Sequence, residues 1–104
     1  MAEINASIID TVNKFLDKLR ENGIPVEAAY LFGSYAKGRE QDWSDIDVAV
    51  ISSDISDDRF EERIRLTKIS SAIDSRIEPV PFRPDTFVDE DPLVWVIKRE
   101  GIRI

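Results

Sequence analysis

Apolar residues at Ile4, Ile8, Ile9, Val12, Phe15, Leu16 and Leu19 recur at helical spacing with charged residues between them. That period is one face of an α-helix, so the spacing predicts an amphipathic helix from Ile4 to Leu19, stopped at Gly23. After Pro25, Val26 to Phe32 (VEAAYLF) reads as a strand running into Gly33-Ser34, and SYAKG as a short helix starting at Ser34. Gly38 to Ser44 is a polar loop, and Asp45 to Ile51 (DIDVAVI) alternates as a second strand. In that strand Asp45, Asp47, Ala49 and Ile51 share one face, and Ile46, Val48 and Val50 share the other.

The next helix is predicted from about Asp57 to Ile73, with Asp57 and Asp58 in its first turn and Phe60, Ile64, Leu66, Ile69 and Ile73 as its core stripe. Arg76 to Phe82 (RIEPVPF) carries Pro79 and Pro81, whose missing amides would disrupt a central strand. Two residues apart, they lie on the same edge and leave the amides of Glu78, Val80 and Phe82 free to pair. The expectation is an edge strand beside Asp45 to Ile51, with Glu78 close to Asp45 and Asp47. Asp91-Pro92 is an N-cap and first-turn pair for a helix to about Arg99, closed at Gly101, with IRI as a terminal strand.

This order of helices and strands belongs to the α/β (α+β) class, and 104 residues without repeats or linkers read as a single domain over residues 1–104. The sequence has no run of 18 apolar residues and no signal-peptide pattern, so a cytoplasmic location with no membrane association is the default. There is no cysteine and no histidine, which excludes disulfides, thiol nucleophiles, His-based triads and the usual zinc ligand sets. Catalysis would have to use carboxylates, hydroxyls, lysine, arginine or a hard metal. A net charge of −7 opposes nonspecific binding to nucleic acid, though not to a nucleotide that arrives with its own cation.

The candidate chemistry is concentrated in LFGSYAKGREQDWSDIDVAVIS. Two aspartates one residue apart on a strand project from one face, and a Gly-Ser turn stands ten residues before them. Glycine permits the backbone approach that a phosphate needs, so the combination points to metal-assisted phosphoryl chemistry. Lys37 and Arg39 follow the turn and are placed either to touch the β and γ phosphates or to be ordinary exposed charges. Trp43 is either a stacking surface for a base or a cover for the core edge, and Trp95 is placed in the core or at an interface.

Gly33, Ser34, Asp45 and Asp47 match the GSx10DxD signature, and in this the chain resembles the minimal nucleotidyltransferases of the DNA polymerase β-like superfamily. The resemblance implies a nucleotidyltransferase fold, a small mixed sheet of three to four strands flanked by helices. It also implies Mg²⁺, in a two-metal site, on Asp45 and Asp47, a triphosphate against Gly33 and Ser34, and a third carboxylate on a neighbouring strand. Glu78 is the candidate for that third acid, as metal ligand and base. Arg76, two residues away on the same face, is its competing ion-pair partner.

The implied activity is transfer of a nucleoside monophosphate, AMP from ATP, to a hydroxyl acceptor. Minimal nucleotidyltransferases pair with a separate helical HEPN protein in toxin–antitoxin systems, which makes a partner protein the expected acceptor and the chain an antitoxin. Two alternatives stay open: a non-catalytic module that masks a HEPN-type ribonuclease, and a small-molecule transferase acting as a homo-oligomer.

Overall fold

A computed structural model describes residues 6–38 and 44–104. Four helices and four strands follow in the order α1 (Ala6–Glu21), β1 (Ala28–Phe32), α2 (Ser34–Lys37), β2 (Ile46–Ile51), α3 (Arg59–Ser71), β3 (Ile77–Phe82), α4 (Pro92–Glu100) and β4 (Ile102–Arg103). The strands form one mixed sheet in the order β3-β2-β1-β4. β1 runs antiparallel to both β2 and β4, whereas β2 and β3 are parallel, connected through α3.

α1 buries Ile8, Val12, Phe15, Leu16 and Leu19, as its periodicity requires. Ile4 lies outside the described residues. The helix ends in a Schellman arrangement: the Gly23 amide donates to the Arg20 carbonyl and the Ile24 amide to the Leu19 carbonyl, both at 3.0 Å. Gly23 has φ +79°, a conformation that only glycine adopts without strain. Ile24 then enters the core beside Leu19.

The alternation of β2 divides the core. Ile46, Val48 and Val50 join Ala29, Leu31 and Ile77 beneath α1 and α3, while Ala49 and Ile51 join Phe82, Val94 and Ile97 beneath α4. β3 is the edge strand that its prolines require. The Ile46 amide donates to the Arg76 carbonyl at 2.8 Å and the Ser52 amide to the Phe82 carbonyl at 3.0 Å, bracketing a parallel ladder. In that ladder alternate residues face β2, so Glu78, Val80 and Phe82 pair while Pro79 and Pro81 turn their missing amides outward.

α3 corrects one expectation. Asp58 caps it, accepting from the Glu61 amide at 3.0 Å, and its buried residues are Glu62, Leu66 and Ser70. Phe60 is 73% exposed and Ile64 37%, so neither belongs to a core stripe. At about 100° per residue, Phe60 and Ile64 lie roughly 120–160° around the helix from Leu66 and cannot share its face. Glu62 is accommodated inside through an ion pair with Arg65 at 3.1 Å.

Asp91 and Pro92 start α4 as the sequence indicates, with the Asp91 carboxylate accepting from the Leu93 amide at 2.9 Å. Only Val94 and Ile97 of this helix are buried. Trp95 is therefore not a core residue: it is 48% exposed, with the Arg99 guanidinium 4.9 Å above its ring. Among the described residues, no helix is long and apolar enough to cross a membrane.

Candidate active site

The site lies where β1 ends and β2 begins. Antiparallel pairing sets Phe32 opposite Asp47, so the next residue, Gly33, turns directly past the Asp47 side chain. Gly33 has φ +76°, and a Cβ at this position would collide with the Asp47 carboxylate. Backbone conformation and space both demand glycine here. Ser34 opens α2, a single turn held by the bond from the Lys37 amide to the Gly33 carbonyl at 3.2 Å.

On the other side of β2, the parallel register sets Asp47 opposite Glu78. Beside Glu78, the Asp47 carboxyl is pushed up from 3.8 to about 6. Burial is the largest cause, followed by the negative charges of Glu78 and Asp45, while Arg63 on α3 pulls the other way. Asp45 stands exposed at the start of the strand, close enough for its charge to be felt by Asp47. The structure thus brings Gly33, Asp47 and Glu78 into one cluster, with Asp45 at its rim.

Among the described residues, no three acids are already closed into a metal cage. The donor set nevertheless suits a hard cation. Carboxylate oxygens are what Mg²⁺ prefers, and the proton that Asp47 retains to about pH 6 offsets negative charge that a divalent ion would neutralise instead.

The flanking candidates fare differently. The Lys37 ammonium pairs with Glu100 at the end of α4, at 3.1 Å, in an exposed bridge of the kind that contributes little and yields readily to a stronger anion. Arg39 and Trp43 lie outside the described residues. Arg76 does not pair with Glu78, because the bidentate geometry it finds at Asp74, with bonds of 2.8 and 3.1 Å, is better. This pairing lowers the Asp74 pKa, chiefly through the Arg76 side-chain hydrogen bond, and raises that of Arg76.

Sequence reasoning missed two features. Arg76 also donates to the Tyr35 hydroxyl at 3.3 Å, tying the turn after Gly33 to the start of β3. At a sequence separation of 41 the pair gave no signal. Arg63 was equally hidden, since its position depends on how α3 is rotated against the sheet.

A profile described as "Polymerase beta, Nucleotidyltransferase" matches residues 13–88, spanning the Gly-Ser turn, both aspartates and Glu78. The chain belongs to this nucleotidyltransferase family. It is 38% identical over 71 residues to the protein adenylyltransferase MntA of Shewanella oneidensis, a match covering 68% of this chain and 50% of MntA. The chain thus aligns with half the length of that relative. Among solved structures it resembles a toxin–antitoxin with AMP-PNP (35% identity, TM-score 0.66, covering 88% of this chain and 69% of the other). It also resembles the MntA–HepT toxin–antitoxin (30% identity, TM-score 0.59, covering 89% and 68%). These likenesses agree with the mixed sheet, the helices on both its faces and the minimal nucleotidyltransferase signature.

Proposed function

We propose that this chain transfers AMP from ATP to a hydroxyl on a HEPN-type partner protein and acts as its antitoxin. The observation that carries the reading is the register of three strands, which sets the Gly33 turn on one side of Asp47 and Glu78 on the other. The AMP-PNP and HepT of the related structures support the donor and the partner.

Gly33 and Ser34 would take the triphosphate against bare backbone, leaving its α-phosphorus facing the acids. The acceptor oxygen bonds to that phosphorus, the bond to the oxygen bridging the β-phosphorus breaks, and pyrophosphate leaves. The hydroxyl proton passes to the Glu78 carboxylate. Asp45 and Asp47, with Glu78, would hold Mg²⁺, which when bound neutralises charge developing on the phosphates.

The test is incubation with labelled ATP, Mg²⁺ and a HepT-type HEPN protein, repeated with Asp45→Ala and Asp47→Ala. Label should appear on the partner and vanish in both variants. Neutralisation of a HEPN ribonuclease that survives both substitutions, with no label ever transferred, would assign masking instead.

A further inference from the structure

The outer face of α3 differs in character from the chain as a whole. Phe60, Arg63, Ile64, Thr67, Lys68 and Ser71 line one shallow groove along the helix. The groove lining carries two cations, two apolar side chains and no carboxylate, in a chain of net charge −7, with the exposed Glu61 flanking it one turn before Ile64. The same helix turns Glu62 and Ser70 inward while leaving Phe60 73% exposed. Arg65, on the flank, is committed to Asp54 and Glu62. Among the described residues, Arg63 and Lys68 form no ion pair.

A second groove joins this face to the sheet, bounded by Arg59, Phe60 and Arg63 of α3 and by Val80 and Pro81 of β3. Val80 is the next residue after Glu78 on the same face of β3, so the groove runs along the edge strand toward the acids. Arg63 stands at its wall within electrostatic reach of Asp47.

We infer that the outer face of α3, with the groove it forms against β3, docks the acceptor protein through a segment bearing acidic and apolar side chains together. The inference rests on the transfer reaction proposed above. Charge complementarity selects the occupant: Arg63 and Lys68 call for carboxylates, and Phe60 and Ile64 for apolar contacts between them. A polyanion is disfavoured, because Arg63 and Lys68 together would release few counterions and the whole chain repels it. Strand addition is blocked by Pro79 and Pro81, so the segment is a helix or loop. Its position also suits its use. The Gly33 turn flanks Asp47 from β1 and Glu78 flanks it from β3, so a hydroxyl carried in along β3 meets the acids opposite the phosphate turn.

The experiment measures binding of a HepT-type HEPN protein by calorimetry at low and high salt, together with ATP affinity and AMP labelling. It compares the unaltered chain, Phe60→Ser combined with Lys68→Glu, and Arg63→Glu. All three positions are exposed, and melting curves confirm folding. In the double variant the partner Kd should rise about tenfold or more and its salt dependence flatten, with ATP affinity held within about twofold. Arg63→Glu should weaken the partner in the same way. Variants that bind and label the partner as well as the unaltered chain would overturn the docking surface and leave the transfer reaction standing. An unaltered chain that neither binds nor labels the partner would overturn both. Binding of a labelled single-stranded RNA that the variants lose, with partner binding intact, would give the face to nucleic acid and overturn the proposal.

Discussion

The Asp47 carboxylate occupies the space that a Cβ on Gly33 would fill. Asp47 and the glycine of the turn after β1 are thus one steric unit, made by the pairing of Phe32 with Asp47. Replacing Gly33 by alanine combines a φ of +76° with a collision against the carboxylate. The variant should lose about 1–3 kcal/mol of stability in denaturant titration. Its AMP transfer should fall by about 100-fold or more, because Asp47 has to move.

Asp47 is a strained acid whose neutralisation stabilises the fold. Its ordinary value of 3.8 is raised to about 6, so the folded state favours the protonated form. That stability is fully present below pH 3.8 and is lost as pH rises through about 6. Asp47→Asn should therefore be more stable than the unaltered chain at pH 8, by about 1 kcal/mol once screening of a partly exposed group is discounted, while losing transfer. The difference should close at low pH. Mg²⁺ should raise the melting temperature of the unaltered chain at pH 8 and leave that of Asp47→Asn where it was.

Glu78 tests the third acid separately. Glu78→Gln removes a charge and not a core contact, so melting should hold or rise while transfer drops about 10- to 1,000-fold at saturating ATP and partner. Unchanged turnover would remove Glu78 from the site.

The Arg76 brace makes a prediction of another kind. Arg76→Ala cuts both the Asp74 pair and the bond to Tyr35. It should cost about 1 kcal/mol and raise KM for ATP more than it lowers kcat, since the turn is loosened and the acids are kept. Because pairing lowers the Asp74 pKa, its stabilisation is present above pH 3.8 and lost as pH falls below it. The gap between variant and unaltered chain should narrow over that acid range.

The rotation of α3 is checked by two truncations. Leu66→Ala opens a cavity in the core and should cost about 2–5 kcal/mol in denaturant titration. Phe60→Ala, at an exposed position, should change stability by less than about 0.5 kcal/mol. Equal costs would place Phe60 in the core after all.

Much of the site was legible because it depends on short-range rules. Period two puts Asp45 and Asp47 on one face, and two prolines on one edge of a strand leave only the other edge to pair. From those facts alone Glu78 could be set beside Asp47, and the register agrees. Of the α3 stripe, Leu66 is buried with Ile69 and Ile73 packed against the core, while Phe60 and Ile64 failed because counting apolar residues is not the same as following their angle around a helix.

What the sequence by itself determined, then, is the set of elements, the glycine at the turn and the three acids, since backbone periodicity and missing amides act within a few residues. Tertiary structure decided which way α3 faces, that Arg76 reaches Tyr35 rather than Glu78, that Trp95 lies outside the core, and how far Asp47 is pushed from its ordinary pKa. Each of these depends on distances between segments far apart in the chain. Burial and charge are summed over neighbours that only the folded sheet assembles.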